Sequence, residues 1–136
     1  MAQFVELENG NLLSTSCITL ISPHAGIKYD SEKIKVHAAI RVKGADEVAE
    51  LISATAVAPW TESDNEVEIY NYFCSEREQL EKSIRDIFIQ VVRGLSSDLK
   101  IYYPSIVIRG QLERAAEGTA KRIVKAAKKM EAEQNE

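Results

Sequence analysis

The most regular hydrophobic pattern in the chain lies between Lys33 and Lys43. Every second residue there is apolar, and these residues are Ile34, Val36, Ala38, Ile40 and Val42. The residues between them are mostly cationic. A period of two places successive side chains on opposite faces of a β-strand. The pattern therefore predicts one strand whose apolar face points to the core and whose cationic face points away from it.

Other segments also favour strands. Residues 4–8 and 11–21 flank an Asn-Gly pair, which predicts a β-hairpin. A Pro and a Gly within 22–32 predict a loop before the Lys33 strand. Alternation over 66–73 predicts another strand.

Two segments have the spacing of amphipathic helices. Ser75 and Glu78 have the spacing of a capping box, and apolar residues follow at intervals of three and four, so the sequence predicts a helix over 75–95. A second, longer helix is predicted over 111–133. Its apolar seam is narrow and is formed mostly by small residues.

Two other segments are harder to assign. Apolar residues recur at helical spacing over 46–58 and Pro59 supplies a stop, which predicts a helix, although β-branched residues there also favour a strand. The segment 99–109 contains Pro104, and its pattern predicts a kinked edge strand or an extended segment. The complete pattern predicts a single α+β domain over 1–136, with an antiparallel sheet of four to five strands and a frayed tail at 131–136.

Composition narrows the function classes. The chain has 136 residues, 45% of them hydrophobic, which suits one domain. Its net charge of −4 opposes non-specific attraction to nucleic acid or anionic membranes. Cys17 and Cys74 occur singly, which favours reduced thiols. The first residues do not resemble a signal peptide, and no apolar run is long enough to span a bilayer, so a cytoplasmic location without membrane contact is expected.

The cationic strand face is the first candidate binding surface. Tyrosines of the predicted 66–73 strand would add stacking surfaces, so that the face could follow a phosphate backbone. The candidate residues are Lys33, Lys35, His37, Arg41, Lys43, Tyr70 and Tyr72. In the alternative interpretation, Glu66 and Glu68 lie opposite the lysines on a paired strand and neutralise them.

The second candidate surface is an interface between copies. The narrow seam of the last helix buries little area, so self-association through that helix or through the 99–109 edge is expected. The candidate interface residues are Tyr102, Tyr103, Leu112, Ile123 and Met130. The sequence therefore predicts a homo-oligomer or a subunit of a larger complex.

Catalytic chemistry has no clear signal. His24 and His37 have no partners at metal-ligand spacing, and no serine has a nucleophile-elbow setting, so no catalytic, metal or cofactor residue is assigned. The leading hypothesis is a non-enzymatic protein-interaction or assembly subunit: an adaptor, scaffold or chaperone-like module. The alternatives are a nucleic-acid-binding subunit that uses residues 33–43 with the basic last helix, and a small enzyme whose site is completed at a subunit interface.

The order of elements also resembles SecB-type export chaperones. Alternating strands, a helix, an extended link with Pro104 and a final helix follow one another in that order. The resemblance is one of layout and carries no residue-by-residue motif. It implies a chaperone-like role, and it implies that residues 48–60 form a strand.

Overall fold

The computed structural model describes residues 1–44, 47–60 and 66–134. Within them, two helices and six strands follow the chain. The elements are β1 (Phe4–Glu6), β2 (Leu12–Ser14), β3 (Leu20–Tyr29), β4 (Lys33–Lys43), β5 (Val48–Pro59), α1 (Glu66–Leu95), β6 (Ile101–Tyr102) and α2 (Ile108–Gln134).

The core lies between a three-stranded antiparallel sheet and the two helices. The strand order of this large sheet is β3-β4-β5. Both helices pack on one face, α1 mainly over β3 and α2 mainly over β5. The α+β class is confirmed, but the predicted single sheet of four to five strands is replaced by two sheets of three strands each.

Strand β4 confirms the prediction made from the alternating pattern. Its five apolar side chains are all at most 1% exposed. Lys33, Lys35 and Lys43 are exposed on the other face. Because one face of β4 is covered by the helices, a slip of one residue would bury the lysines, so burial also specifies the register.

Strand β3 corrects the predicted loop. Pro23 and Gly26 lie within the strand, which spans Leu20–Tyr29. The Asp30 N–H donates to the Lys33 carbonyl. In an antiparallel ladder only every second residue bonds to the neighbouring strand, so the even-numbered residues of β3 bond to β4. The backbone of Pro23 therefore points away from β4. A proline on the outer side of an edge strand costs no ladder hydrogen bond.

Strand β5 shows that the helix predicted over 46–58 is wrong. Residues Val48–Pro59 pair with β4, which is the strand that the SecB-type layout implied. The pairing register shifts between Ile40 and Arg41, so that Ile40 lies opposite Ile52 and Arg41 opposite Glu50. This bulge adds one residue to β5 and allows both Leu51 and Ile52 to be buried. Two consecutive buried residues break the period of two, which explains the helix-like spacing.

Helix α1 corrects the strand predicted over 66–73. The helix begins at Glu66, and Ser75 lies in its interior rather than at its start. Ile69 and Phe73 are four residues apart, a spacing that is compatible with either a strand or a helix, and both side chains are buried. Phe73 packs against Trp60 with ring centroids 5.4 Å apart. Contact with residues outside the segment therefore favours the helix.

The small sheet has the order β2-β1-β6, with β1 antiparallel to β2 and parallel to β6. The predicted hairpin is present, with Gly10 at a φ of 86° in its turn, although its second strand is shorter than predicted. The predicted edge strand over 99–109 is reduced to β6 and a 3-10 turn over Pro104–Ile106. Helix α2 starts at Ile108 rather than at 111 and continues to Gln134, so only the last two residues of the predicted frayed tail lie outside the described residues.

Candidate functional site

The face of the large sheet opposite the helices is called the open face here. Pairing places five residues of β3 and six of β5 beside the cationic residues of β4. They are Leu20, Ser22, His24, Gly26 and Lys28 on β3, and Val48, Glu50, Ser53, Thr55, Val57 and Pro59 on β5. The structure thus confirms that the cationic side of β4 points away from the helices.

Charge on the open face is strongly one-sided. Its basic residues are Lys28, Lys33, Lys35, Arg41 and Lys43, and none of them forms an ion pair within the described part of the chain. Lys28 lies directly opposite Lys35, a like-charge pair that destabilises the sheet. Glu50 is the one carboxylate of this face, and it is bound to His37. Glu50 lies opposite Arg41, and the Lys33 charge stabilises the Asp30 carboxylate next to the end of β3, so the open face is a cationic surface that is only partly neutralised.

His37 is held by two hydrogen bonds at the centre of the open face. Its Nε2 lies 2.6 Å from the Glu50 carboxylate, and its Nδ1 lies 2.8 Å from the Thr55 hydroxyl. With Nε2 protonated, the imidazole donates to Glu50 and accepts from Thr55. Both ring nitrogens have protein partners, so His37 orders the middle of the face and does not point freely at a ligand.

His24 lies beside His37, with ring centroids 6.0 Å apart. Burial lowers the pKa of His24 below 6.5, and the Arg41 guanidinium and the His37 ring lower it further, while Glu50 and Glu81 act in the opposite direction. Because the folded chain binds this proton more weakly than the unfolded chain does, protonation opposes folding.

We therefore expect the His24 contribution to make the protein less stable as the pH falls from about 6.5 towards the lowered pKa of the folded chain. The substitution His24→Gln should flatten that part of the profile. The measurement is urea unfolding at a series of pH values for both proteins. An unchanged slope in the His24→Gln protein would contradict the assignment.

The structure does not bring the predicted tyrosines to the cationic face. Tyr70 and Tyr72 lie on α1, not on a strand next to β4. Tyr70 is exposed, and the Tyr72 hydroxyl donates to the Arg122 carbonyl at 3.3 Å. Burial raises the pKa of Tyr72, with a further contribution from the neighbouring Glu76. The predicted stacking surface is therefore wrong.

The proposed neutralisation of the lysines is wrong for the same reason. Glu66 and Glu68 belong to α1, so they cannot pair across strands with Lys33 and Lys35. The basic residues of α2 are also separate from the open face, because α2 packs on the opposite side of the large sheet. Lys121 and Lys125 are exposed on that helix.

The five candidate interface residues have different environments. Leu112 and Ile123 are completely buried within the chain, where α2 meets the rest of the core. Met130 and Tyr102 are partly buried against the same core. Tyr103 is 41% exposed. Of the five, Tyr103 alone presents a large exposed surface.

A surface missed by the sequence analysis lies on the outer side of the small sheet. Phe4 and Ile101 are direct neighbours across the parallel pair, and Leu12 lies opposite Glu6. Residue 103 follows residue 101 by two positions and continues on the same side. Ile106 is next to Ser105, whose hydroxyl donates to the Glu6 carboxylate at 3.2 Å.

This surface is called the apolar patch, and it is defined by Phe4, Leu12, Ile101 and Tyr103 together with Ile106 of the following 3-10 turn, with Glu6 and Ser14 on the same side of the small sheet. Ile106 is 78% exposed and Leu12 is 50% exposed, while Val5 and Tyr102 on the inner side pack into the core. Only the alternation within two- and three-residue strands could have identified it, and such short strands are not recognisable in the sequence. The patch depends on pairing between Phe4 and Ile101, which are 97 positions apart in the chain.

An apolar cavity of about 230 Å³ lies elsewhere, between the start of β3 and the end of α1. It is lined by Met1, Thr15, Ile18, Ile21, Val92, Leu95 and Ser96. Most of the lining side chains are apolar, so the cavity could accept an apolar group.

Metal binding and membrane insertion find no support in the described residues. No group of three or more His, Cys, Asp or Glu side chains there could hold a metal ion. Both cysteines are free thiols. Across the same ranges, no helix combines the length and the apolar character needed to cross a bilayer.

Comparisons with protein-family models, with curated proteins and with solved structures found no match to this chain.

Proposed function

We propose that this chain is a non-enzymatic, self-associating subunit that binds other polypeptide chains through the apolar patch. The observation that carries the proposal is the outer side of the small sheet, where Phe4, Leu12 and Ile101 lie on the same side as Glu6 and Ser14, and where the following segment exposes Tyr103 and Ile106. Single exposed apolar residues are normal on a protein surface, whereas contiguous ones are typical of interaction sites. Aromatic residues such as Phe4 and Tyr103 are also enriched in the centres of interfaces.

A chaperone-like activity is the form that the layout favours. The strand at Val48–Pro59 agrees with the SecB-type order of elements, and the extended link with Pro104 contributes Tyr103 and Ile106 to the patch. An unfolded polypeptide exposes apolar side chains along its length, so a patch of this kind would bind it with little sequence preference. Both observations support a role in which the chain holds partners rather than transforms them.

The test removes apolar area from the patch without touching the core. We expect Phe4→Ser together with Ile106→Ser to raise by about tenfold the amount of protein needed to prevent aggregation of an unfolded client, since each lost contact contributes on the order of 1 kcal/mol. Light scattering of a client diluted from denaturant measures this. The matched control is Ile89→Ser on α1, a residue that is 51% exposed and outside the patch.

Two results would contradict the proposal. One is a wild-type protein that neither delays client aggregation nor binds the unfolded client in a pull-down. The other is an Ile89→Ser protein that loses as much activity as the double variant, because the loss would then not be specific to the patch. Thermal unfolding of each variant checks that the fold is retained.

A nucleic-acid-binding subunit remains the second candidate, and the excess of cations on the open face favours it. The proposed contribution of α2 does not join that surface, because α2 lies on the other side of the sheet. Without Tyr70 and Tyr72, the described residues of the open face include no Tyr, Phe or Trp on which bases could stack, and its aromatic rings are the imidazoles of His24 and His37. These two findings place the candidate second.

A further inference from the structure

The open face offers a second binding surface, chemically different from the apolar patch. We infer that it binds an acidic polypeptide segment that also carries aliphatic side chains. The inference shares with the proposed function only that the partner is a polypeptide. It rests on the charge and register of β3, β4 and β5.

The first argument is electrostatic. The open face has five basic side chains, of which Arg41 lies opposite Glu50 and Lys33 lies close to Asp30, while no carboxylate lies opposite Lys28, Lys35 or Lys43 among the described residues of the face. Glu50 is also bound by His37. The like-charge pair of Lys28 and Lys35 weakens the isolated sheet. A carboxylate placed between these two ammonium groups would remove the repulsion and form charge-assisted hydrogen bonds. Binding of an anionic partner is therefore favoured, because it removes the repulsion between Lys28 and Lys35 that destabilises the free protein.

The second argument distinguishes a polypeptide from a nucleic acid. Exposed aliphatic side chains lie directly across from the lysines: Val57 beside Lys35, and Leu20 and Val48 on the two sides of Lys43. Leu20 and Val57 are each 57% exposed, and Val48 is 63% exposed. A phosphate backbone gains nothing from them, whereas a peptide with alternating acidic and aliphatic residues can contact both kinds of side chain.

The third argument concerns length. Lys28 and Lys35 lie towards one end of the face, while Arg41 and Lys43 lie towards the other. Six residues of an extended strand separate Lys35 from Arg41, which corresponds to about 20 Å. The hydrogen-bonded His37 and Thr55 occupy the region between them. A partner that uses both ends must be extended over at least six to eight residues, or about 20 to 27 Å.

The experiment uses a labelled twelve-residue peptide of alternating Glu and Leu or Val, with binding followed by fluorescence anisotropy. We expect the triple variant Lys28→Gln, Lys35→Gln, Lys43→Gln to bind the peptide about tenfold more weakly than the wild type. Affinity of the wild type should fall as salt is raised, because exposed charges are screened. The melting temperature of the variant should not fall, since the substitution removes a repulsive pair.

The matched control is Lys121→Gln with Lys125→Gln on α2, which should bind the peptide as the wild type does. A single-stranded oligonucleotide of equal length and a Lys-Leu peptide complete the set. The inference is overturned if the triple variant binds the acidic peptide as tightly as the wild type does, or if the oligonucleotide binds more tightly than the peptide. It is also overturned if the triple variant loses self-association, because a second copy would then occupy the face.

The two proposals fail in different ways. Loss of client binding in the Phe4 and Ile106 double variant tests the apolar patch, and the triple lysine variant should retain that binding. Conversely, the double variant should retain the affinity for the acidic peptide. Each surface can therefore be rejected while the other stands.

Discussion

Replacing Ile123 by Ala should lower the free energy of unfolding by about 2 to 5 kcal/mol without changing the mass of the assembly. Ile123 is completely buried within the chain, in the core that the helices form with the large sheet. Truncation removes buried apolar contacts and leaves a cavity that a close-packed core cannot fully close. Urea unfolding measures the stability, and light scattering after size-exclusion chromatography measures the mass.

The result shows whether Ile123 is a core residue of one chain or an interface residue between two copies. The narrow seam of the last helix predicted that Ile123 would contact a second copy, and the structure instead buries it within one chain. Stability that depends strongly on protein concentration, together with a smaller assembly for Ile123→Ala, would contradict the core assignment. The control Ile89→Ala removes a similar side chain that is 51% exposed, and it should change the stability by less than about 1 kcal/mol.

Replacing Gly94 by Ala should destabilise the protein by about 1 to 3 kcal/mol, although this substitution usually stabilises a helix. Gly94 lies near the end of α1, and a Cβ atom there would overlap the ring of Tyr102. Tyr102 belongs to β6, and burial raises the pKa of its hydroxyl. The close approach of α1 and β6 thus depends on the missing side chain.

Gly118 on α2 provides the control for Gly94. A Cβ atom at Gly118 would meet nothing nearer than an Arg122 nitrogen at 3.6 Å, which is an ordinary contact. Gly118→Ala should therefore raise the stability by up to about 1 kcal/mol. In a Tyr102→Ala background, Gly94→Ala should become stabilising as well, and persistence of its cost there would show that Tyr102 is not the cause. Urea unfolding of the four proteins completes the double-mutant cycle.

A substitution at Gly94 should affect binding at the apolar patch as well as the stability of the protein. Tyr102 packs inward against Gly94, and its neighbours Ile101 and Tyr103 face outward on the small sheet. A displaced Tyr102 would shift β6 and therefore the patch. We expect the Gly94→Ala protein to lose part of its client binding, whereas the Gly118→Ala protein should retain it.

The open face could be predicted in part. The alternation from Lys33 to Lys43 determined which side of β4 is buried, because a period of two leaves one register that keeps lysines out of the core. Its neighbours could not be predicted, since Lys28 comes from a segment interpreted as a loop and Val57 from one interpreted as a helix. Pro23 was interpreted as a loop residue. Proline is excluded only from strand positions whose N–H must bond to a neighbouring strand, and the sequence did not show that Pro23 lies on the outer side of an edge strand.

The errors in β5 and α1 have a common physical origin. Leu51 and Ile52 are both buried because a bulge in β5 breaks the alternation, and a bulge is defined only by pairing with β4. Ile69 and Phe73 satisfy either a strand or a helix, and packing of Phe73 on Trp60 and Tyr29 accompanies the helix. In both segments the local spacing was ambiguous, and contacts distant in sequence decided the structure.

The amino-acid sequence by itself determined the α+β class, the inward and outward sides of β4, the hairpin at the start of the chain and the existence of two amphipathic helices, because each depends on the periodicity of neighbouring residues. Only the tertiary structure decided which helix residues are core, which residues lie beside the cations of β4, and that Phe4 and Ile101 are neighbours on one side of the small sheet. These features arise from contacts between segments that are distant in the chain, up to 97 positions for Phe4 and Ile101. Periodicity within a segment contains no information about such pairing.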